Sequence, residues 1–493
     1  METIGHWVDG RPVDGTSGRT GPVFDPALGR QVAAVSLASA GEIDDVVKVA
    51  IDAGADWAEA SLSKRASVMF RFRELIDSHR HQLAEAVSHQ HGKVVSDALG
   101  EVARGLECVE FACGLPELLK GSFSPQVSTG VDVHTVLEPV GVVAGITPFN
   151  FPVMVPLWML ANALACGNAF VLKPSEKDPG PSLVLADLAH RAGLPDGVFN
   201  VVQGDSEAVN ALLSHPGIDA VSFVGSTPVA RHVFETGTRN GKRVQALGGA
   251  KNHMVVLPDA DIDVAADAAV SAGYGSAGER CMAISVVVAV GDVADGLVEA
   301  IGARIADVVV GPGDDPASMM GPLITREHRD RVRAYVEGAP GEGARVVVDG
   351  TTLDRGEGFY LGCSLLDGVS PGMKVYDDEI FGPVLGVVRV GTFAEAVQLV
   401  NANPYGNGVA VFTRDGGAAR QFQRSVKVGM VGVNVPIPVP VASHSFGGWK
   451  DSIFGDSPIY GPEGIHFYTR PKVVTSRWPE APGRLDLGFP SGH

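Results

Sequence analysis

The chain has 493 residues with 45% apolar residues, which exceeds what a single hydrophobic core usually sustains and predicts two or three domains. Basic residues number 39 against 57 acidic ones, a formal charge of -18, which argues against a general attraction to nucleic acid or anionic membranes. Cys108, Cys113, Cys166, Cys281 and Cys363 form an odd set without paired spacing, which suits a reducing compartment rather than a disulfide framework.

In chain order, Met1 to Gly10 lacks the basic start and apolar run of a secretory signal, and Trp7, Asp9 and Gly10 read as a turn opening a folded domain, so a cytoplasmic protein is expected. Residues 40–121 are mostly helical in pattern. His79, His81, His89 and His91 lack metal-ligand spacing and read as solvated, and no metal site is expected. Residues 126–138 alternate like an edge strand protruding from the body. From Gly141 to Gly249 short Val- and Phe-rich runs alternate with helical segments, a βαβ pattern. Its strands are expected at 141–149, 169–173, 198–204, 220–225 and 243–247, with helices near 153–166, 181–192, 207–214 and 229–240. The apolar segment 153–166 falls short of the roughly 20 residues of a membrane span and contains Pro156 and Asn162, so it reads as a core helix. Such alternation predicts a parallel sheet covered on both faces, with ligands at the carboxyl ends of its strands. A second α/β stretch runs from about Asp259 to Pro440, with strands at 284–290, 345–348, 384–390 and 409–413. The tail from Ile465 to Trp478 alternates again. Strands of this kind complete a partner's sheet in oligomers or form an ordinary intrachain edge.

Cys281 follows a glycine-rich stretch and stands beside Arg280, a cation that favours the nucleophilic thiolate over an inert buried thiol. Gly273 to Gly278 fits G-x-G-x-x-G, but a helical stretch rather than a strand precedes it, so it reads as a tight turn beside Cys281 and not as a cofactor loop. At the end of the first strand, Thr147-Pro148-Phe149-Asn150-Phe151-Pro152 is stiffened by its prolines. Asn150 and the backbone amide of Cys281 could both donate to an alkoxide, an arrangement worth roughly 10² or more in rate. The next strand ends in Lys173-Pro174-Ser175-Glu176. A carboxylate there can hold ribose hydroxyls and repel a 2′-phosphate, which favours NAD over NADP. Phe223 to Pro228 puts a glycine and two hydroxyls at a helix start, a phosphate-binding geometry when combined with its neighbours. Glu379 sits on a rigid Gly382-Pro383 turn and could bind the nicotinamide ribose. Arg104 has no local explanation.

Taken together, T-P-F-N-F-P at 147–152, K-P-S-E at 173–176, F-V-G-S-T at 223–227, G-A-K-N-H at 249–253, R-C-M-A at 280–283 and E-I-F-G-P-V at 379–384 resemble the aldehyde dehydrogenase superfamily nearly end to end. Within it, with F-G-D at 454–456 and F-Y-T at 467–469, the chain most resembles the CoA-acylating methylmalonate-semialdehyde dehydrogenases. The resemblance implies an α/β fold with a Rossmann-like NAD domain (1–121 and 141–247), a catalytic α/β domain (248–440) and a small β oligomerisation arm (122–140 and 465–493). It also implies a homotetramer or homodimer. Cys281 would be the nucleophile, Asn150 the oxyanion donor, and Thr147, Phe149, Lys173, Glu176, Lys177, Ser226 and Glu379 the NAD contacts.

Hydrolytic members of that superfamily resemble one another in carrying a water-activating glutamate just before L-G-G-K. Alignment on Gly249 to Asn252 puts Leu247 there, and a shift of one residue puts Ala246 there. Neither is a base, so coenzyme A becomes the expected acyl acceptor, its thiol being partly ionised near neutral pH with a pKa of about 8.5. Glu279, where the subfamily usually has glutamine, is the alternative water activator. Arg280 and Arg104 could together bind a substrate carboxylate. The expected reaction is oxidation of methylmalonate or malonate semialdehyde through a Cys281 thioester, decarboxylation, and thiolysis to propionyl-CoA or acetyl-CoA. A hydrolytic enzyme releasing a free acid and a non-catalytic protein on the same fold are the rivals.

Overall fold

Five short strands buried almost throughout, 142–146, 169–173, 199–201, 220–224 and 243–247, lie parallel in one sheet, because runs such as Val142–Ile146 and Ala169–Lys173 present apolar side chains to both faces. This computed structural model describes residues 2–478. The spatial order of the five is third, second, first, fourth, fifth, so the order reverses between Val142–Ile146 and Ala220–Val224. Ligands of open α/β sheets bind outside the strand ends at such a reversal. The strands His6–Val8 and Arg11–Val13 extend one edge, and Ile453–Phe454 pairs antiparallel with Arg243–Leu247 at the other.

The second sheet has seven strands, in the order 345–348, 364–367, 384–390, 284–290, 252–256, 408–412 and 430–433. All neighbours are parallel except 345–348 on 364–367. Three of these strands escape the periodicity reading. These are Asn252–Val256, which closely follows the glycine-rich turn, and the four-residue Ser364–Asp367 and Met430–Val433. The third sheet carries two corrections. Residues 126–138 are not one strand but parts of a hairpin, Phe123–Ser128 and Val131–Pro139, turning at Gly130 in the left-handed region. The tail is helical over Gly461–Phe467 and extended only over Thr469–Arg477, which pairs along the whole of Val131–Pro139. The segment 479–493 of the expected arm lies outside the described residues.

Helices Ala40–Ala58 and Met154–Ala165, every residue of the latter buried, pack on the first sheet, Leu62–Ser78 and Val95–Cys113 pack on Met154–Ala165 in turn, and Arg80–His91 packs on Val95–Cys113. Among the described residues no helix is long and apolar enough to cross a membrane. One contact matters for the site: Val95–Cys113 packs on Met154–Ala165 through Gly105, where an added Cβ would come within 2.7 Å of a Leu157 methyl and 3.2 Å of the Met154 backbone. Asp97, Glu101 and Arg104 ride on the first of these helices, and the second starts four residues after Asn150. Gly105→Val is therefore expected to cost about 1–3 kcal/mol through overpacking, read as a lowered thermal unfolding midpoint, and to reduce activity in the fraction that remains folded.

Candidate active site

The strand Val142–Ile146 delivers Thr147 to Pro152 to the switch point of the first sheet. Asn150 there is only 3% exposed, and its Nδ2 donates to the Glu279 carbonyl at 2.9 Å. An amide has two such hydrogens. The bond to Glu279 fixes the amide plane and leaves the second hydrogen available. On the catalytic side, Ser276, Ala277 and Gly278 all adopt left-handed backbone, so the chain bends sharply before Cys281, the tight turn expected there. A Cβ at Gly278 would lie 2.2 Å from the Gly382 carbonyl oxygen, so close packing of the Cys281 loop on the 379–383 turn requires glycine. Asn252 and Asn407 donate to the Cys281 carbonyl at 2.9 and 3.2 Å and hold that peptide in place.

A cleft of about 730 Å³ runs along the switch point, and Thr147, Phe149, Asn150, Lys173, Glu176, Lys177, Ser226, Cys281 and Glu379 all line it. Nine positions scattered over more than two hundred residues thus meet in one cavity. Arg331 and Phe381 join them, neither of which the sequence singles out. Lys173 is buried and donates to the Gly204 carbonyl at 2.8 Å, with Glu176 at 3.5 Å. Lys177 lies 4.7 Å from the centre of the Phe149 ring. The Thr147 hydroxyl is buried without a partner in the cleft wall, and Ser226 caps the helix Thr227–Arg239 without a side-chain bond to it. An unspent hydroxyl and a helix start facing a cleft fit a ligand carrying a phosphate and hydroxyls.

A second pocket of about 380 Å³ meets the first at Cys281 and is lined by Arg104, Arg280, Phe151, Met154, Trp158 and Val439. Arg280 donates to Asp97 at 2.6 Å, and Arg104 to Glu107 at 2.7 and 2.9 Å and to the Pro440 carbonyl at 2.8 Å. Both guanidiniums are anchored at one side while lining the same cavity.

The electrostatics correct one expectation. Burial, and next the Glu379 carboxylate, push the Cys281 thiol up to about 12, and Arg280, itself paired with Asp97, opposes this only slightly. A neighbouring arginine does not make this cysteine a thiolate. Glu379, its Oε1 accepting from the Ala250 amide at 2.8 Å, is itself raised to about 7 by burial. A second correction concerns His91, which is fully buried rather than solvated and stacks 5.9 Å from Phe149. Burial keeps it neutral, its pKa lying well below the usual value. It faces the equally buried Glu279 carboxyl at 3.7 Å, with His328 at 3.4 Å on the other side. Burial raises Glu279 to about 8, against the opposing pull of the Ile324 amide and of Lys177, Lys93 and Arg331. Its carboxyl lines neither cavity that Cys281 lines.

The chain belongs to the aldehyde dehydrogenase family, whose sequence model matches residues 13–474, and is thus an enzyme, an oxidoreductase, on that family's fold. It is 51% identical over 497 residues to the malonate-semialdehyde dehydrogenase of Pseudomonas aeruginosa, covering the whole of both chains. The crystal structure of methylmalonate-semialdehyde dehydrogenase from Oceanimonas doudoroffii is 52% identical and superposes with a TM-score of 0.96 over 98% of this chain and 99% of the other. A Sinorhizobium meliloti relative solved as a complex with NAD is 50% identical, with a TM-score of 0.96 over 98% and 99% of the two chains.

Two outcomes follow from the charges. Glu379→Gln removes the carboxylate that opposes the Cys281 thiolate, so alkylation of Cys281 by iodoacetamide at fixed pH should accelerate several-fold over wild type, scored by mass spectrometry. An acid whose folded pKa is raised loses stability as pH climbs from the ordinary carboxylate range through the folded value, about 8 for Glu279. Glu279→Gln should therefore raise the unfolding midpoint above about pH 8 and change it little around pH 5.

Proposed function

We propose that this enzyme oxidises malonate or methylmalonate semialdehyde with NAD and passes the acyl group to coenzyme A. The observation that carries this reading is the position of Cys281, where the cofactor-sized cleft meets a pocket bearing two arginines. An aldehyde whose other end is a carboxylate fits that pocket. Each guanidinium has five N–H donors and keeps some of them free of its Asp97 or Glu107 partner, so Arg104 and Arg280 can both take the substrate carboxylate. The names of the relatives from Pseudomonas aeruginosa and Oceanimonas doudoroffii fit the same substrate class.

NAD suits the larger cleft. Thr147, Lys173, Glu176, Lys177 and Ser226 would hold it, with Phe149 and Glu379 toward the reactive end, and the NAD-bound relative supports the choice. When bound, NAD supplies the hydride acceptor. The protein's own part begins with Cys281 passing its proton to solvent in the cleft it lines, its sulfur bonding to the aldehyde carbon. Asn150 and the Cys281 backbone amide stabilise the oxygen that becomes negative. Loss of hydride from that carbon leaves a thioester on Cys281. A malonyl-type thioester then loses its carboxylate as carbon dioxide, and protonation of the resulting carbanion leaves an acetyl or propionyl thioester. Attack by the thiolate of coenzyme A releases acetyl-CoA or propionyl-CoA and restores Cys281.

The acceptor follows from what is missing. Ala246 and Leu247 are both buried and apolar, on opposite faces of the sheet, and neither can activate water. Glu279, the alternative water activator, faces His91 and His328 instead of the cavities. Hydrolysis keeps one supporting observation: Glu379, raised to about 7, shares the cleft with Cys281 and could deprotonate a water. We assign 1–121 and 141–247 to the cofactor domain, 248–440 to the catalytic domain, and 122–140 with 465–493 to an arm joining two or four copies. The exposed Phe123, Val127 and Val473 of that arm suit such a contact.

NADH formation from malonate semialdehyde should be sustained only with coenzyme A, giving acetyl-CoA by mass. Equal turnover without it, yielding a free acid, would overturn the acceptor. Arg104→Ala should lower kcat/KM for the semialdehyde about 10- to 100-fold, the value of one charged contact, and leave a plain aliphatic aldehyde nearly unchanged. Equal losses on both would remove the carboxylate role.

A further inference from the structure

Lys93 and Glu101 form an ion pair at 2.8 Å that is shut away from solvent; Glu101 stands in the wall of the pocket that bears the two arginines, and Lys93, behind it, lines neither cavity. A buried pair of charges costs several kcal/mol to desolvate and survives only where its remaining hydrogen-bonding capacity is met. Here the partners are specific. Lys93 Nζ also donates to the backbone carbonyl of Asn150 at 2.6 Å and lies 4.3 Å from the centre of the Phe151 ring. The other Glu101 oxygen accepts from the amides of Val153 and Met154 at 2.8 and 3.1 Å, where the following helix begins. Every bond of the pair outside itself therefore ends on the 150–154 segment.

Lys93 is itself held rigidly. Gly92 before it is left-handed, and Gly313 and Gly321 pack so closely that a Cβ on either would lie 2.4 Å from the Lys93 carbonyl oxygen or 2.0 Å from that of Gly92. The amide of Val95 closes the corner on the Gly313 carbonyl at 3.0 Å. The segment on which Lys93 sits is thus clamped by the catalytic domain, while its ammonium reaches the loop that issues from the first sheet.

We propose that Lys93, charge-paired with Glu101, is a positioning residue that sets the Asn150 amide against Cys281. The side-chain bond from Asn150 to the Glu279 carbonyl fixes the amide from one side, and Lys93 fixes the backbone carbonyl of the same residue from the other. Two anchors on one residue leave its second amide hydrogen a single direction. A displacement of about 1 Å in such a donor can cost on the order of 10²-fold in rate. This inference rests on the oxyanion role proposed for Asn150.

The test is a double-mutant cycle in single-turnover NADH formation with full-length enzyme, alongside the NAD dissociation constant measured by fluorescence quenching. Lys93→Met should slow the burst about 10- to 100-fold while NAD affinity changes less than about twofold, and Lys93→Arg should recover most of the rate. In an Asn150→Ala background Lys93→Met should slow the burst by less than about twofold more, because the group it positions is gone. Full additivity, or a wild-type burst in Lys93→Met, would overturn the proposal. A wild-type burst in Asn150→Ala would instead remove the oxyanion reading on which it rests. Should Lys93→Met not fold, Glu101→Gln takes its place in the cycle, where a slowed burst that vanishes in the Asn150→Ala background supports the positioning role and an additive one refutes it.

Discussion

One hydrogen bond joins the two halves of this enzyme at the proposed active site: Asn150 Nδ2 to the Glu279 carbonyl. Asn150 lies in the loop four residues beyond a strand of the first sheet, and Glu279 stands two residues before Cys281 on the approach to the second. Neither sheet alone forms the site. The glycines at 278 and 382, the left-handed turn at 276–278 and the prolines of the 147–152 loop bring these two segments within reach of each other.

In the proposed reaction, placing Cys281 where two cavities meet separates recognition from redox chemistry. The larger cleft is polar at its strand ends and holds the residues that fit a nucleotide, while the smaller pocket combines Trp158, Phe151 and Met154 with two anchored guanidiniums. Burial of its surroundings and the Glu379 carboxylate both favour the protonated thiol of Cys281. The same burial raises Glu379, so the site holds two groups whose charges oppose each other, and a ligand that engages Glu379 alters the thiol as well.

The first sheet was legible in the sequence because its strands are continuous apolar runs, several of them punctuated by a chemically distinctive end: Thr147 to Pro152, Lys173 to Glu176, Gly225 to Pro228. Those ends share one edge of a parallel sheet, so reading them separately was enough to bring them together. Lys93, Glu101, Asp97 and Arg331 were not legible. Asp97, Glu101 and Arg331 sit on helices where a lone charge reads as a solvated face, and Lys93 sits in the corner between two helices; what marks Lys93 and Glu101 is burial against a segment about fifty residues away, and what marks Asp97 and Arg331 is the cavity each lines. His91 misled for the same reason, its neighbours His79, His81 and His89 being at least partly exposed. The thiol at Cys281 misled differently, since the adjacent Arg280 is visible in the sequence but its pairing with Asp97, 183 residues distant, is not.

The strand Ile453–Phe454 closes the open edge of the first sheet at Arg243–Leu247, and Thr469–Arg477 completes the hairpin that begins at Phe123. About two hundred residues, including most of the second sheet, are synthesised between Leu247 and Ile453. At about 5–20 residues per second, the edge of the nascent first sheet stays uncovered for roughly 10–40 s. An apolar sheet with a free edge invites pairing with other chains. The N-terminal half of this enzyme is thus the part that needs shelter during translation, and its folding becomes final only after Ile453–Phe454 and Thr469–Arg477 have been made.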